Sequence, residues 1–101
     1  SFWLELKIAK KTTKGNLKIS PNQLAWNYAY NVRGKGSSYF LVKGGRQDNL
    51  FLFDGSDGSE LISSGLLTKS LYEGKDYQEL FNVIQEHCIK KLQFRVGSGR
   101  V

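Results

Sequence analysis

Two hydrophobic segments separated by a strongly capped helix constrain this chain more than any other feature. The first segment, residues 2–8, alternates strictly in side-chain character. One face carries Phe2, Leu4, Leu6 and Ile8, and the other carries Trp3, Glu5 and Lys7. A period of two is typical of a β-strand, and an apolar set on one side predicts that this side is buried.

The helix that follows begins at an unusually complete start signal. Ser20 is placed as the N-cap, Pro21 occupies the first helical position, and Gln23 completes a capping box. Apolar or aromatic residues then recur every four positions, at Leu24, Tyr28 and Val32. We expect Tyr28 to pack in the core, and we expect Gly34 to end the helix as a left-handed residue.

The middle of the chain predicts a hairpin and a short helix. Residues 39–42 are expected to form a buried strand, residues 44–45 a loop, and residues 50–53 the returning strand. A short helix is expected within residues 60–67. The hairpin therefore supplies the second hydrophobic segment of the core.

The last third of the chain predicts a long helix and one more strand. Asp76 and Glu79 form a second capping box ahead of an apolar stripe. Alternating residues predict a final short strand at Leu92, Phe94 and Val96. The predicted order is β-α-β-β-(α)-α-β, a small α/β domain over residues 1–96 with a flexible tail at 97–101.

The composition favours a basic, intracellular, single-domain protein. The chain has 101 residues, and 15 Lys+Arg against 9 Asp+Glu give a formal charge of +6. A small basic domain attracts polyanions, most often nucleic acid, although solvated lysines without a ligand give the same charge. The one cysteine, Cys88, cannot form an internal disulfide, and no apolar run is long enough for a transmembrane helix. His87 is expected at the surface.

Glu5 and Lys7 are the strongest candidates for chemistry. Two residues apart on one strand, they project from the same face, about 7 Å apart along the strand. A carboxylate is a ligand that Mg²⁺ favours, and a neighbouring ammonium stabilises charge that develops on a phosphate. The same pair is also common on exposed strands as a screened ion pair, so the pattern alone leaves both interpretations open.

Several features over residues 2–43 occur together in a recognisable order. They are the strand with Glu5-Leu6-Lys7, a basic loop, the helix start at Ser20-Pro21 and Gln23, then Trp26, Gly34 and the strand at 39–42. This order resembles the PD-(D/E)XK nuclease superfamily, in particular its VRR-NUC and phage Holliday-junction-resolvase-like branch. The resemblance implies a restriction-endonuclease-like core, with a mixed sheet flanked by helices, and a Mg²⁺- or Mn²⁺-dependent endonuclease that cuts branched DNA. It also implies a homodimer in the cytoplasm of a bacterium or phage-infected cell.

The resemblance implies a role for each matching residue. Glu5 would bind the metal with the backbone carbonyl of Leu6, and Lys7 would position the attacking water or stabilise the transition state. Gln23 would orient the site or contact DNA, which is compatible with its place in the capping box. Basic residues around the loop and the helix exit form a candidate DNA track, namely Lys10, Lys11, Lys14, Lys18, Arg33 and Lys35. Trp26, Tyr28 and Tyr30 are candidates to stack on bases, although we favour Tyr28 in the core and the other two as cover for a dimer or DNA surface.

One element of the family pattern is absent from the sequence. These nucleases carry a metal-binding aspartate on the strand before the Glu-x-Lys strand, and only residues 1–4 precede Glu5. Mg²⁺ prefers six oxygen ligands, so one carboxylate and one carbonyl hold it poorly. Three sources are open: an upstream segment, which we favour, a partner subunit, or Asp48 or Asp54 of the hairpin. Two alternatives to an enzyme are a non-catalytic DNA-binding module and an interaction subunit that folds with a second chain.

Overall fold

The structure is a computed structural model that describes residues 2–33 and 36–98, with 93–98 as backbone only. Its helices and strands are, in chain order, β1 (Phe2–Ile8), α1 (Pro21–Arg33), β2 (Ser37–Gly44), β3 (Asn49–Asp54), α2 (Gly58–Ser64), β4 (Tyr72–Gly74) and α3 (Tyr77–Ser98). Short 3-10 turns cover Gly55–Asp57 and Gly65–Leu67. The predicted α/β class is confirmed.

Within these residues the strands form one mixed sheet in the order β1-β2-β3-β4. β1 runs parallel to β2, whereas β2 and β3, and β3 and β4, are antiparallel. A parallel pair needs a crossover connection, which explains why the capped helix lies between the two hydrophobic segments. β1 is therefore an edge strand, and no described strand pairs with its outer edge.

Both faces of the sheet are packed against helices. On one face, Phe40 and Val42 of β2 are buried with Phe51 and Phe53 of β3 and with Leu61 of α2. On the other face, α3 covers a second buried cluster, which consists of Tyr39, Leu41, Leu50, Leu52, Leu80 and Ile84. The two central strands are continuous hydrophobic runs because alternate residues enter opposite cores.

The buried side of α1 is polar, contrary to the expectation from the sequence. Tyr28 and Val32 are 52% and 53% exposed, so the prediction that Tyr28 packs in the core is wrong. Asn27 and Asn31 are buried instead. They face the start of β2, where the Ser38 amide donates to Asn31 Oδ1 (3.2 Å) and its hydroxyl donates to the Asn27 carbonyl (2.9 Å). Apolar side chains here would leave buried polar groups of the strand without partners.

The predicted buried face of β1 is also wrong. Leu6 is 68% exposed and Ile8 is 81% exposed, whereas Leu4 packs against the core and the half-exposed Phe2 contacts Tyr39 edge-on. The reason is position, because β1 is at the edge of the sheet while the buried cluster under α3 lies over β2 and β3. The strand itself is confirmed, but only its first half, at Phe2 and Leu4, contacts the core on this side, and Leu6 and Ile8 are exposed.

The C-terminal region differs from the prediction in two ways. The strand expected at Leu92, Phe94 and Val96 is absent, because α3 continues without a break to Ser98 and so takes in two residues of the predicted tail. No glycine or proline interrupts residues 77–96, and adding one residue to an existing helix is easier than starting a strand. The short strand β4 has too few residues to show an alternating pattern, and it was missed. Residues 99–101 and the expected helix stop at Gly34 lie outside the described residues.

Candidate active site on the edge strand

Glu5 and Lys7 lie on the face of β1 that α1 covers. The register pairs Glu5 with Phe40 and Lys7 with Val42, both of which belong to the cluster on the α1 and α2 side. Both side chains are partly buried. The predicted common face of the acid and the amine is confirmed.

Gln23 connects Lys7 to the start of α1. The Lys7 ammonium donates to Gln23 Oε1 at 2.7 Å. The same oxygen accepts the Ser20 amide at 3.2 Å, and the Gln23 amide donates to Ser20 Oγ at 3.1 Å. The capping box predicted from the sequence is therefore complete, and Gln23 also holds the amine of the candidate site. Gln23 is therefore both a capping residue of α1 and a hydrogen-bond partner of Lys7.

Glu5 has a different environment from Lys7. Across residues 2–33 and 36–98, its carboxylate takes part in no hydrogen bond or ion pair. The screened ion pair that the sequence left open is not formed, because the Lys7 ammonium bonds to Gln23 instead. The Glu5 carboxylate is therefore available to an added ligand.

The described residues do not by themselves form a metal site. Among them no group of three or more His, Cys, Asp or Glu side chains could hold a metal ion. Asp48 precedes β3 and Asp54 ends it, so β2 separates both from β1 by two strand spacings, about 10 Å. Asp54 is engaged with Asn31 and Ser56, and Asp48 lies 3.8 Å from Lys43. The geometry therefore counts against a stand-in from the hairpin.

A basic pocket opens beside Lys7. It has a volume of about 520 Å³ and is lined by Lys7, Ile8, Lys10, Asn16, Leu17 and Lys18. Three cations and no carboxylate line it, which suits a phosphate group. The structure thus brings Lys10 and Lys18 of the predicted DNA track to the candidate site.

The remaining members of the predicted track lie elsewhere. Lys11 and Lys14 are exposed on the same loop but do not line the pocket. Arg33 is exposed at the other end of α1, and Lys35 lies outside the described residues. Of the described members, only Lys10 and Lys18 line the pocket beside Lys7.

The basic loop is anchored at several points. The Ala9 amide donates to the Lys43 carbonyl (2.9 Å) and the Leu66 amide donates to the Lys14 carbonyl (2.7 Å). Gly15 is buried with φ of 58°, and a Cβ there would lie 2.5 Å from the Leu66 side chain. A larger residue at position 15 would push this loop away from the 3-10 turn. The loop backbone that carries the lysines is held in place before any ligand binds.

A row of aromatic rings lies next to Glu5. Trp3 shares the face of β1 with Glu5, and its ring centre is 4.9 Å from that of Trp26. Trp26 stacks on Tyr30, also with 4.9 Å between ring centres. The sequence drew attention to Trp26 and Tyr30 but missed Trp3, although its position two residues before Glu5 was the available signal.

A second polar cluster lies where α3 meets the start of β2. The Tyr39 hydroxyl is 2.8 Å from His87 Nδ1 and 3.3 Å from Cys88 Sγ, and His87 Nε2 is 3.6 Å from Asp54. Burial raises the pKa of the Tyr39 phenol above its ordinary value, and the hydrogen bond with Cys88 raises it further. His87 is thus partly buried and hydrogen-bonded, not the simple surface residue that was predicted. This cluster joins α3 to the sheet.

Comparison with known proteins gives no relatives. No protein-family description, curated protein or solved structure matches this chain. Within the described residues, none of the helices has the combination of length and apolarity needed to cross a bilayer. Any functional assignment therefore depends on the geometry of the site itself.

Proposed function

We propose that this protein is a divalent-metal-dependent endonuclease that hydrolyses phosphodiester bonds in branched DNA. One observation carries the proposal: a Lys7 ammonium held by Gln23, on the same strand face as an unpaired Glu5, next to a pocket lined by lysines. Phosphodiester hydrolysis requires an acidic metal ligand, a group that stabilises negative charge and a site for the phosphate. Glu5, Lys7 and the lysine pocket correspond to these three requirements in turn.

The residues divide the work between binding and chemistry. Lys10 and Lys18 bind a DNA phosphate at the pocket. Lys7, whose position is fixed by Gln23, stabilises negative charge on the phosphate that is attacked. Glu5 and the adjacent Leu6 carbonyl would be ligands of the metal. When bound, Mg²⁺ or Mn²⁺ would activate water and neutralise phosphate charge.

Glu5 is one carboxylate, and the metal site needs at least one more. We propose that the second comes on a strand that pairs with the outer edge of β1, from a longer chain or from a partner subunit such as a second copy. The free edge of β1 supports this arrangement, because an exposed strand edge readily adds another strand. The setting that suits such an enzyme is the cytoplasm of a bacterium or phage-infected cell.

The test is cleavage of a labelled four-way junction in Mg²⁺ or Mn²⁺ by the full-length protein. Glu5→Gln and Lys7→Met should each lower the cleavage rate by about 100-fold or more, as expected when a transition-state contact is lost. Glu73→Gln is the matched control, because Glu73 is an exposed acid on β4 at the opposite edge of the sheet. Equal cleavage by wild type and Glu5→Gln would refute the assignment, and so would the absence of cleavage.

The main alternative is a DNA-binding module without catalytic activity. The single carboxylate of the site and the formal charge of +6 favour it. The two functions differ in how they respond to metal. A binding module holds the junction equally well with Mg²⁺ or EDTA and never cuts it, whereas the enzyme cuts only when metal is added.

A further inference from the structure

The face of α1 beside the candidate site has a regular composition. Gln23, Trp26, Tyr30 and Arg33 follow one another at spacings of three, four and three residues, which places them on one stripe of the helix. Gln23 contacts Lys7 and Trp26 contacts Trp3, so the stripe runs antiparallel to β1. From Gln23 to Arg33 the helix rises about 15 Å.

At the centre of this stripe, Trp26 and the partly buried Tyr30 form an aromatic row with Trp3 of β1. Trp3 and Trp26 are 47% and 45% exposed. The rings of Trp26 and Tyr30 are nearly parallel, with 17° between their planes, whereas Trp3 is tilted by 60° to Trp26. The rings hold one another in place, so a planar ligand that adds to the row meets a preformed surface. Large apolar surface left exposed in this way indicates a binding role.

The charges around the aromatic row narrow the choice of ligand. Lys7 and the lysine pocket lie beyond one end, and the exposed Arg33 is on the stripe at the other end. Along the stripe and the β1 face beside it, Glu5 is the one acidic residue. Cations at the ends with aromatic rings between them are the arrangement that binds single-stranded nucleic acid, where phosphates meet the cations and bases stack on the rings.

We propose that the aromatic row is a stacking platform for unpaired bases of a single-stranded DNA segment that leads to the candidate site. The substrate of the proposed nuclease would then carry unpaired nucleotides next to the phosphate that is cut, as at a flap or an open junction. This substrate class rests on the proposed function, but the stacking itself does not. A base stacked on Trp3 lies one strand repeat, about 7 Å along β1, from Glu5.

The protein carries its own probe for this proposal. The chain has 2 tryptophans, and Trp3 and Trp26 are both in the aromatic row, so intrinsic tryptophan fluorescence reports on the platform alone. A short oligothymidine is titrated into the full-length protein in EDTA, beside an oligonucleotide of equal length that has abasic sites in place of the bases. The first should quench the emission and bind about 5- to 100-fold more tightly, which corresponds to one stacked base.

Substitutions on α1 assign the effect to the rings. Trp26→Leu keeps an apolar side chain of good helix propensity but removes the ring. It should weaken oligothymidine binding, measured by anisotropy of a labelled strand, by about 5- to 100-fold. Trp26→Phe should restore most of the affinity. Tyr77→Ala is the matched control, because Tyr77 is 56% exposed at the start of α3, and it should leave the affinity unchanged.

The outcomes separate this proposal from the nuclease assignment. EDTA removes the metal, so the titration measures binding alone, and quenching by a protein that never cuts DNA would support the platform while refuting the enzyme. Equal binding of the abasic strand, or unchanged affinity in Trp26→Leu, would overturn the platform. A tryptophan emission that shifts with protein concentration in the absence of DNA would also overturn it, because the row would then be a contact between copies of the chain.

Discussion

The contribution of the hydrogen bond between Lys7 and Gln23 to the free energy of unfolding can be measured before any activity is assayed. If Gln23 holds the ammonium as the 2.7 Å distance indicates, then the two residues are energetically coupled. A double-mutant cycle with Lys7→Met and Gln23→Ala isolates that coupling from the other effects of each substitution. The quantity of interest is the free energy of unfolding of the wild type, the two single variants and the double variant.

The expected changes in the free energy of unfolding follow from the contacts of each side chain. A hydrogen bond to a charged group contributes about 1.5–3 kcal/mol, and partial exposure of this pair reduces the expected value to about 1 kcal/mol. Gln23 also accepts the Ser20 amide in the capping box, which adds about 0.5–1 kcal/mol. Gln23→Ala should therefore destabilise the protein by about 1.5–2 kcal/mol, Lys7→Met by about 1 kcal/mol, and the coupling should be about 1 kcal/mol.

Urea denaturation followed by circular dichroism gives the four free energies, provided that all four proteins share one slope against denaturant. The ion pair between Lys43 and Asp48 is a matched control, since its atoms are 3.8 Å apart and its side chains are 50% and 40% exposed. That pair should show a coupling of at most about 0.5 kcal/mol. A Lys7–Gln23 coupling no larger than that of the control would refute the claim that Gln23 fixes the position of the Lys7 ammonium, and with it the proposed role of Gln23.

Two further predictions concern other parts of the structure. Asp57→Asn should raise the melting temperature at pH 7, because burial, and then the charge of Asp54, raises the pKa of Asp57, so its ionised form destabilises the folded state. That gain should disappear in melts at pH 3, below the ordinary value of 3.8, and a gain that persists there would contradict the explanation. Tyr39→Phe should lower the free energy of unfolding, measured in urea, by about 0.5–1.5 kcal/mol, because the buried hydroxyl bonds to His87 and lies near Cys88. An unchanged urea midpoint would show that this cluster does not hold α3 to the sheet.

Local signals in the sequence were sufficient for most of the regular elements. The capping box at Ser20 predicted the first residue of α1, and Asp76 predicted that of α3, because the side chains that bond to the free amides of a helix are encoded next to it. The common face of Glu5 and Lys7 followed from the period of a strand. In α3 the reciprocal bond from Glu79 is not made, and the Tyr72 hydroxyl accepts the Asp76 amide instead.

Features that depend on neighbours could not be predicted in the same way. Whether Ile8 is buried is decided by what lies over β1, and the core under α3 is built over the two central strands instead. Asn31 is buried because the start of β2 offers polar groups to it, which the apolar spacing of α1 does not reveal. The pocket beside Lys7 forms because the loop brings residues 16–18 back beside Lys7 and Ile8, and the side-chain pattern of the sequence does not encode the path of a loop.

The edge strand brings the separate observations together. One face of β1 presents Glu5 and Lys7, the other face exposes Leu6 and Ile8, and the outer edge has no described partner strand. A long, apolar, unpaired edge is a liability that proteins cover with another strand, and Lys7 offers little protection because its ammonium is directed to Gln23. A strand added at this edge would satisfy the backbone of β1, extend the apolar face, and place its own side chains beside Glu5. In the proposed enzyme, the position that β1 leaves open for pairing would therefore also be the position from which a second carboxylate could reach a metal held by Glu5.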